Sequence, residues 1–93
     1  MTMTRIAKSV RITGQVQGVF FRAWTKGLAD QLNVAGWVRN CTDGSVEAHL
    51  EGDAKAVERM VGAMRRGPDG AIVARIEVAE AQVAQSDRFE VRK

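Results

Sequence analysis

Polar and apolar residues alternate over residues 8–13, KSVRIT, with Val10 and Ile12 on one side and Ser9, Arg11 and Thr13 on the other, the period of a strand with one covered face. From residue 21 the period lengthens. Phe21, Trp24, Leu28 and Leu32 recur at spacings of three and four, and Ala29 widens the stripe, which predicts an amphipathic helix packed on a sheet. Asn33 is placed to end that helix, because asparagine tolerates the left-handed cap conformation. Residues 35–41 (AGWVRNC) and 45–51 (SVEAHLE) read as two strands of a hairpin, joined by Thr42, Asp43 and Gly44. The parity of the hairpin turns Val38, Asn40, Val46, Ala48 and Leu50 inward and leaves Trp37, Arg39, Glu47 and His49 outward.

Asp53 then stands as the N-cap of a second helix, whose stripe of Val57, Met60, Val61 and Met64 stops before Gly67-Pro68. Residues 74–83 alternate again with Ile76 and Val78 inward, and the closing FEVRK is short enough to add only an edge segment. The order β-α-β-β-α-β matches the ferredoxin-like arrangement. It predicts an α/β (α+β) sandwich, an antiparallel sheet with two helices on one face, formed as a single domain over residues 1–93.

Composition narrows the partners more than it names them. Hydrophobic residues make up 45% and charged residues 27%, the balance of an ordinary globular protein. Fourteen basic against eleven acidic residues give a net charge of +3, a modest excess that leaves small anions and nucleic acid both open. Cys41 is the sole cysteine, so no internal disulfide or CxxC pair is available, and a reducing cytoplasm suits the chain. MTMTRIAKSV lacks the apolar run of a signal peptide, and no stretch approaches the roughly 18 to 20 apolar residues of a membrane span. A cytoplasmic location without membrane contact is expected.

The chemistry concentrates in Gly14-Gln15-Val16-Gln17-Gly18-Val19-Phe20-Phe21-Arg22, which leaves the first strand and enters the first helix. Glycines permit curled backbone, and successive N–H groups running into a helix N-terminus form a concave anion site. Gly18 is followed by Val19 rather than Lys-Ser or Lys-Thr, so the loop is not a Walker A motif. Arg22 would place a cation at the positive end of the helix dipole, where acidic residues are favoured by about 0.3 to 1 kcal/mol. An anion bound between Arg22 and the loop amides would reverse that sign; a surface arginine beside a simple turn is the alternative.

GQVQGVFFR resembles the acylphosphatase signature Gly-x-Val-Gln-Gly-Val-x-Phe-Arg without a departure. A second block, residues 36–47, is similar to the family pattern Gly-x-Val-x-Asn-x-x-Asp-Gly-x-Val-Glu, and Glu51-Gly52, Gly67-Pro68 and Phe89-Glu90-Val91-Arg92 extend the likeness over nearly the whole chain. The commonest family pattern has Gly where Asn33 stands. The resemblance implies metal-independent hydrolysis of acyl phosphates to carboxylate and inorganic phosphate. It also implies that Arg22 and the amides of Gln15, Val16, Gln17, Gly18, Val19, Phe20 and Phe21 hold the phosphate, that Asn40 holds the attacking water, and that the phosphate itself takes the water's proton. The residue types suit these roles: a planar guanidinium pairs two phosphate oxygens, and an uncharged amide offers water both a donor and an acceptor.

The remaining candidates read as structure. His49 falls on the outward face without ligand partners, and Cys41 has the parity opposite to Asn40, which disfavours a covalent phosphoenzyme. Met60 and Met64 match core spacing, and Trp24 and Trp37 read as packing residues. Asp43 has a turn role, and Glu47 faces arginine neighbours across the strands. No His, Cys and carboxylate cluster stands at metal-ligand spacing, so no metal or other cofactor is expected. An RNA-binding module shares the element order, but Ser9, Arg11, Thr13, Glu47 and His49 supply no stacking aromatics on the central strands. A module that only binds a phosphorylated metabolite would have no use for Asn40. The expected partner is therefore a small acyl phosphate, carbamoyl phosphate included, acted on by a monomer.

Overall fold

A computed structural model describes residues 4–93; Met1, Thr2 and Met3, at the head of the segment read for a leader, lie outside the described residues. The elements follow the expected order, β1 (Arg5–Gln15), α1 (Phe21–Leu32), β2 (Ala35–Asn40), β3 (Val46–Asp53), α2 (Ala54–Met64), β4 (Ile72–Glu80) and β5 (Phe89–Arg92). The strands form one sheet in the order β4-β1-β3-β2-β5. The four strands β4, β1, β3 and β2 pair antiparallel as expected, but β5 joins the outer side of β2 in parallel, so the sheet is mixed.

Burial of the apolar residues of β1, β2 and β3 follows the parity read from the sequence, whereas Val78 of β4, expected inward, is exposed. Val10, Ile12, Val38, Val46, Ala48 and Leu50 form the inner face, closed by Val57, Met60 and Met64 of α2 and by Phe21 and Ala29 of α1. The centre of the α1 face is Phe21, Thr25 and Ala29, one residue per turn, while Trp24, Leu28 and Leu32 pack on its flank. Thr25 is fully buried because its hydroxyl donates to the Phe21 carbonyl at 2.8 Å, which removes the cost of enclosing a polar group. Asn33 ends α1 in the left-handed conformation, as expected. Asp53 occupies the N-cap position of α2, but its side chain makes no cap bond; the Ala54 amide donates instead to the Thr4 carbonyl. No helix among the described residues is long and apolar enough to cross a membrane.

β4 and β5 lie at opposite edges, and the chain between them passes across the end of the helix-free face. Glu51, outward by parity on the central strand β3, fastens that passage. One carboxylate oxygen accepts from the Ala84 amide at 2.8 Å and pairs with His49 Nε2 at 2.8 Å; the other accepts from the Ser86 amide at 3.0 Å and from Arg5 at 2.7 Å. Arg5 also donates to the Ser86 carbonyl, so one guanidinium spans the carboxylate and the strap it holds. His49, expected to be exposed, is instead covered, stacked on Trp37 and tied to Glu51.

Burial would raise the Glu51 pKa, but the bonds from His49, the Ala84 amide, Arg5 and the Ser86 amide outweigh it and hold the value at about 2 against 4.5 for a free side chain. The unfolded chain therefore takes up this proton first as pH falls. The Glu51 contribution is complete above the free value and is lost as pH falls through the folded one. Glu51→Gln is expected to cost about 1 to 3 kcal/mol near neutral pH, because an amide cannot satisfy every donor. Thermal unfolding followed from about pH 6 to about pH 2 should show a shallower decline for the variant than for the parent chain.

Candidate active site

The loop that leaves β1 is shaped by two backbone requirements. The pairing of β1 with β4 shifts register between Thr13 and Gly14, and a Cβ on Gly14 would stand 2.2 Å from the Ile72 carbonyl oxygen. Only glycine admits that approach. Val16 is sunk in the core and pins the loop, after which residues 17–20 bend, with φ of 74° at Gly18 and 61° at Phe20. A left-handed phenylalanine costs roughly 1 to 2 kcal/mol relative to its ordinary conformations.

Phe20 is also the N-cap of α1, and its side chain caps nothing. The first helical bond runs from the Trp24 amide to the Phe20 carbonyl at 3.0 Å, so the amides of residues 21–23 have no acceptor within the helix. The first turn carries no acidic residue. Free donors at the positive end of the dipole, with Arg22 among them, form an environment suited to a tetrahedral anion.

Arg22 makes no ion pair among the described residues; one of its nitrogens donates to the Arg92 carbonyl of β5 at 3.0 Å. The parallel edge strand thus holds one nitrogen of the guanidinium, and no other hydrogen bond of that side chain is made among the described residues. Asn40 ends β2 half-buried, on the same side as Val38. A cavity of about 370 Å³ brings Arg22 and Asn40 together, with Val16 and Phe21 as buried walls and Gly18, Phe20, Ala23 and Val91 as exposed ones. Of the loop residues read from the sequence, Val16, Gly18, Phe20 and Phe21 line this cavity; Gln15, Gln17 and Val19 do not.

Gln17 has a part that its place in a glycine loop did not reveal. Its side-chain nitrogen donates to the Cys41 carbonyl at 2.8 Å and the Ser45 carbonyl at 2.9 Å, tying the loop to the turn that follows Asn40. That turn is braced from within. The Ser45 carbonyl accepts from the Cys41 amide at 2.8 Å, and Asp43 accepts from the Ser45 hydroxyl at 2.6 Å and amide at 3.0 Å. These Ser45 bonds, aided by Arg11, hold the Asp43 carboxyl below the usual range. Asp43 therefore has the structural part expected of it, as does Glu47, paired with Arg39 at 3.0 Å. The Arg39 and Arg92 guanidiniums both stand over the Trp37 ring, 5.4 and 5.0 Å from its centroid, on the helix-free face.

Comparison with known proteins agrees with this architecture. The acylphosphatase family model matches residues 8–91. An acylphosphatase of Rhizobium meliloti is 50% identical over 86 residues, covering 92% of this chain and 90% of the relative. One from Methanothrix thermoacetophila is 44% identical over 86 residues, covering 92% and 96%. The crystal structure of acylphosphatase from Bacillus subtilis superposes with a TM-score of 0.91 at 34% identity, over 95% of this chain and 99% of that one. With the match running through both the loop and the hairpin turn, the chain belongs to the acylphosphatase family, hydrolases that cleave acyl phosphates.

Proposed function

We propose that Arg22 and the amides of the 15–21 loop hold the phosphate of an acyl phosphate while Asn40 orients the attacking water, with no metal taking part. The observation that carries this reading is the shared cavity: an arginine without an acidic partner among the described residues and an uncharged amide open on one space beside uncapped helix donors. Water oxygen bonds to phosphorus as the bond from phosphorus to the acyl oxygen breaks. The electron pair of that bond leaves with the carboxylate, and the water proton passes to a phosphate oxygen. A carboxylate leaves readily without a strong acid, so catalysis rests on position and on stabilising the phosphoryl group in a loose transition state.

We propose further that the chain acts as a single-domain cytoplasmic monomer. The family match running from residue 8 to residue 91 supports one domain, and the lone Cys41 is compatible with a reducing compartment.

Arg22→Ala should weaken phosphate binding and turnover together, and Arg22→Lys should not fully restore them, because a point charge does not reproduce the planar fork. Asn40→Ala should keep most phosphate affinity while turnover falls by about 10² or more. Calorimetric phosphate titration beside steady-state kinetics, on variants with parental circular dichroism, separates the two; near-normal turnover of Asn40→Ala would refute its role.

Gln17→Leu, which keeps the loop's bulk but cuts both carbonyl bonds, is expected to lower kcat about tenfold. The inhibition constant for phosphate should move little, since Gln17 ties the loop to the turn rather than to the ligand. In the presence of excess chelator, hydrolysis should persist and inorganic phosphate should inhibit competitively. Activity that vanishes with chelator and returns with magnesium or zinc would demote the cradle to part of a metal-assisted site.

A further inference from the structure

The loop from α2 to β4 reaches a wall of the proposed anion site without lining the cavity itself. That wall is Phe21, the first residue of α1, which is 2% exposed and borders the cavity shared by Arg22 and Asn40. Trp24 meets the Phe21 ring edge to face, with centroids 5.5 Å apart and planes at 69°. Gly67 abuts the same ring: a Cβ there would stand 2.8 Å from Phe21 Cε2, 3.3 Å from the Ala71 Cβ and 3.4 Å from Val73 Cγ2. We infer that Gly67 is a positioning residue, whose bare Cα seats the Phe21 ring and through it sets where Arg22 and the first amides of α1 stand for the phosphate. The inference rests on the assignment of the phosphate to Arg22 and the loop amides.

Two demands on position 67 can be told apart. The Arg66 and Gly67 amides both donate to the Ala63 carbonyl, at 3.2 and 3.0 Å, and Gly67 then turns the chain out of α2 with φ of 71°. A left-handed backbone does not by itself require glycine, since Asn33 ends α1 with φ of 56° in this same chain. The close approach to Phe21 does require it. A buried ring in a close-packed core cannot yield alone, and Phe21 opens the helix whose unbonded amides begin at its own N–H. Arg22 is the next residue, so a displaced ring shifts the guanidinium and the helix donors together. Gly70, in the same loop, gives the contrast: its φ is 91°, yet a Cβ there would meet nothing within 4 Å.

The test sets Gly67→Ala beside Gly70→Ala on the full chain, reading kcat/KM for benzoyl phosphate and the inhibition constant of inorganic phosphate, each well below the variant's melting temperature. Both substitutions put a methyl group on left-handed backbone, and only the first meets Phe21. Gly67→Ala should lower kcat/KM about tenfold and raise the phosphate inhibition constant about threefold or more, since an ångström of misplacement costs up to about 10²-fold. Gly70→Ala should lower the melting temperature but leave both constants within about twofold. Phe21→Leu shortens the side chain that the new methyl meets, so in a double-mutant cycle it should make Gly67→Ala nearly neutral. Equal effects of the two alanines, an unmoved phosphate constant in Gly67→Ala, or an additive cycle overturns the inference. So does a Gly67→Ala chain that fails to fold and is not rescued by Phe21→Leu, because the contact is then one of packing alone. These outcomes leave the cradle standing, whereas absence of phosphate competition in the parent chain would overturn the cradle and with it the part given to Gly67.

Discussion

The carboxylate of Glu51 is the point on which the second half of the molecule turns. It is fully buried on the outward side of the central strand, and its donors come from β1, from its own strand and from two amides of the segment between β4 and β5. A buried charge without those donors would be costly, so the strap cannot leave without exposing or protonating the carboxylate. The strap in turn sets where β5 meets β2, through the Gly36 amide on the Arg88 carbonyl and the parallel ladder that follows. From β5 the Arg92 carbonyl reaches Arg22. Hydrogen bonds at its two ends and the backbone from Ser86 to Arg92 between them therefore link an acid on one face of the sheet to the cation assigned to the phosphate.

Three separate stretches of sequence meet at the cavity: the loop from β1 to α1, the end of β2, and β5. Two cross-ties hold their relative positions. Gln17 fastens the loop to the turn after Asn40, and the Arg92 carbonyl fastens Arg22 to the edge strand. Both ties use backbone carbonyls as acceptors, so neither brings a negative side chain near the proposed anion site. Donors already aimed before a ligand arrives need little reorganisation, which is the condition under which electrostatic stabilisation is effective.

The element order and the hairpin parity could be read in the sequence, because strict alternation and a fixed turn leave few choices of face, whereas the meeting of Arg22 and Asn40 on one cavity was implied by the family resemblance alone. What could not be read depends on partners distant along the chain. Glu51 and His49 have the parity of solvent-facing residues, but the strap, more than thirty positions away in sequence, bonds the Glu51 carboxylate, and His49 is stacked on Trp37 and tied to Glu51. Thr25 reads as polar until its hydroxyl finds the Phe21 carbonyl. β4 was expected at residues 74–83 but runs from Ile72 to Glu80, since its bounds follow pairing with β1 rather than its own alternation. The direction of β5 is invisible in four residues, and Gln17 in a glycine loop gives no sign of which carbonyls its side chain will meet.

β5 has only four residues and is paired on one side alone. Edge segments of this kind open with less free energy than the central strands they flank, without unfolding the molecule. Because the Arg22 anchor is a carbonyl of this strand, each such opening releases the guanidinium even while the sheet and both helices stay intact. The fraction of molecules with the arginine in place is then governed by the fraying equilibrium of one short ribbon, a quantity distinct from the stability of the fold as a whole.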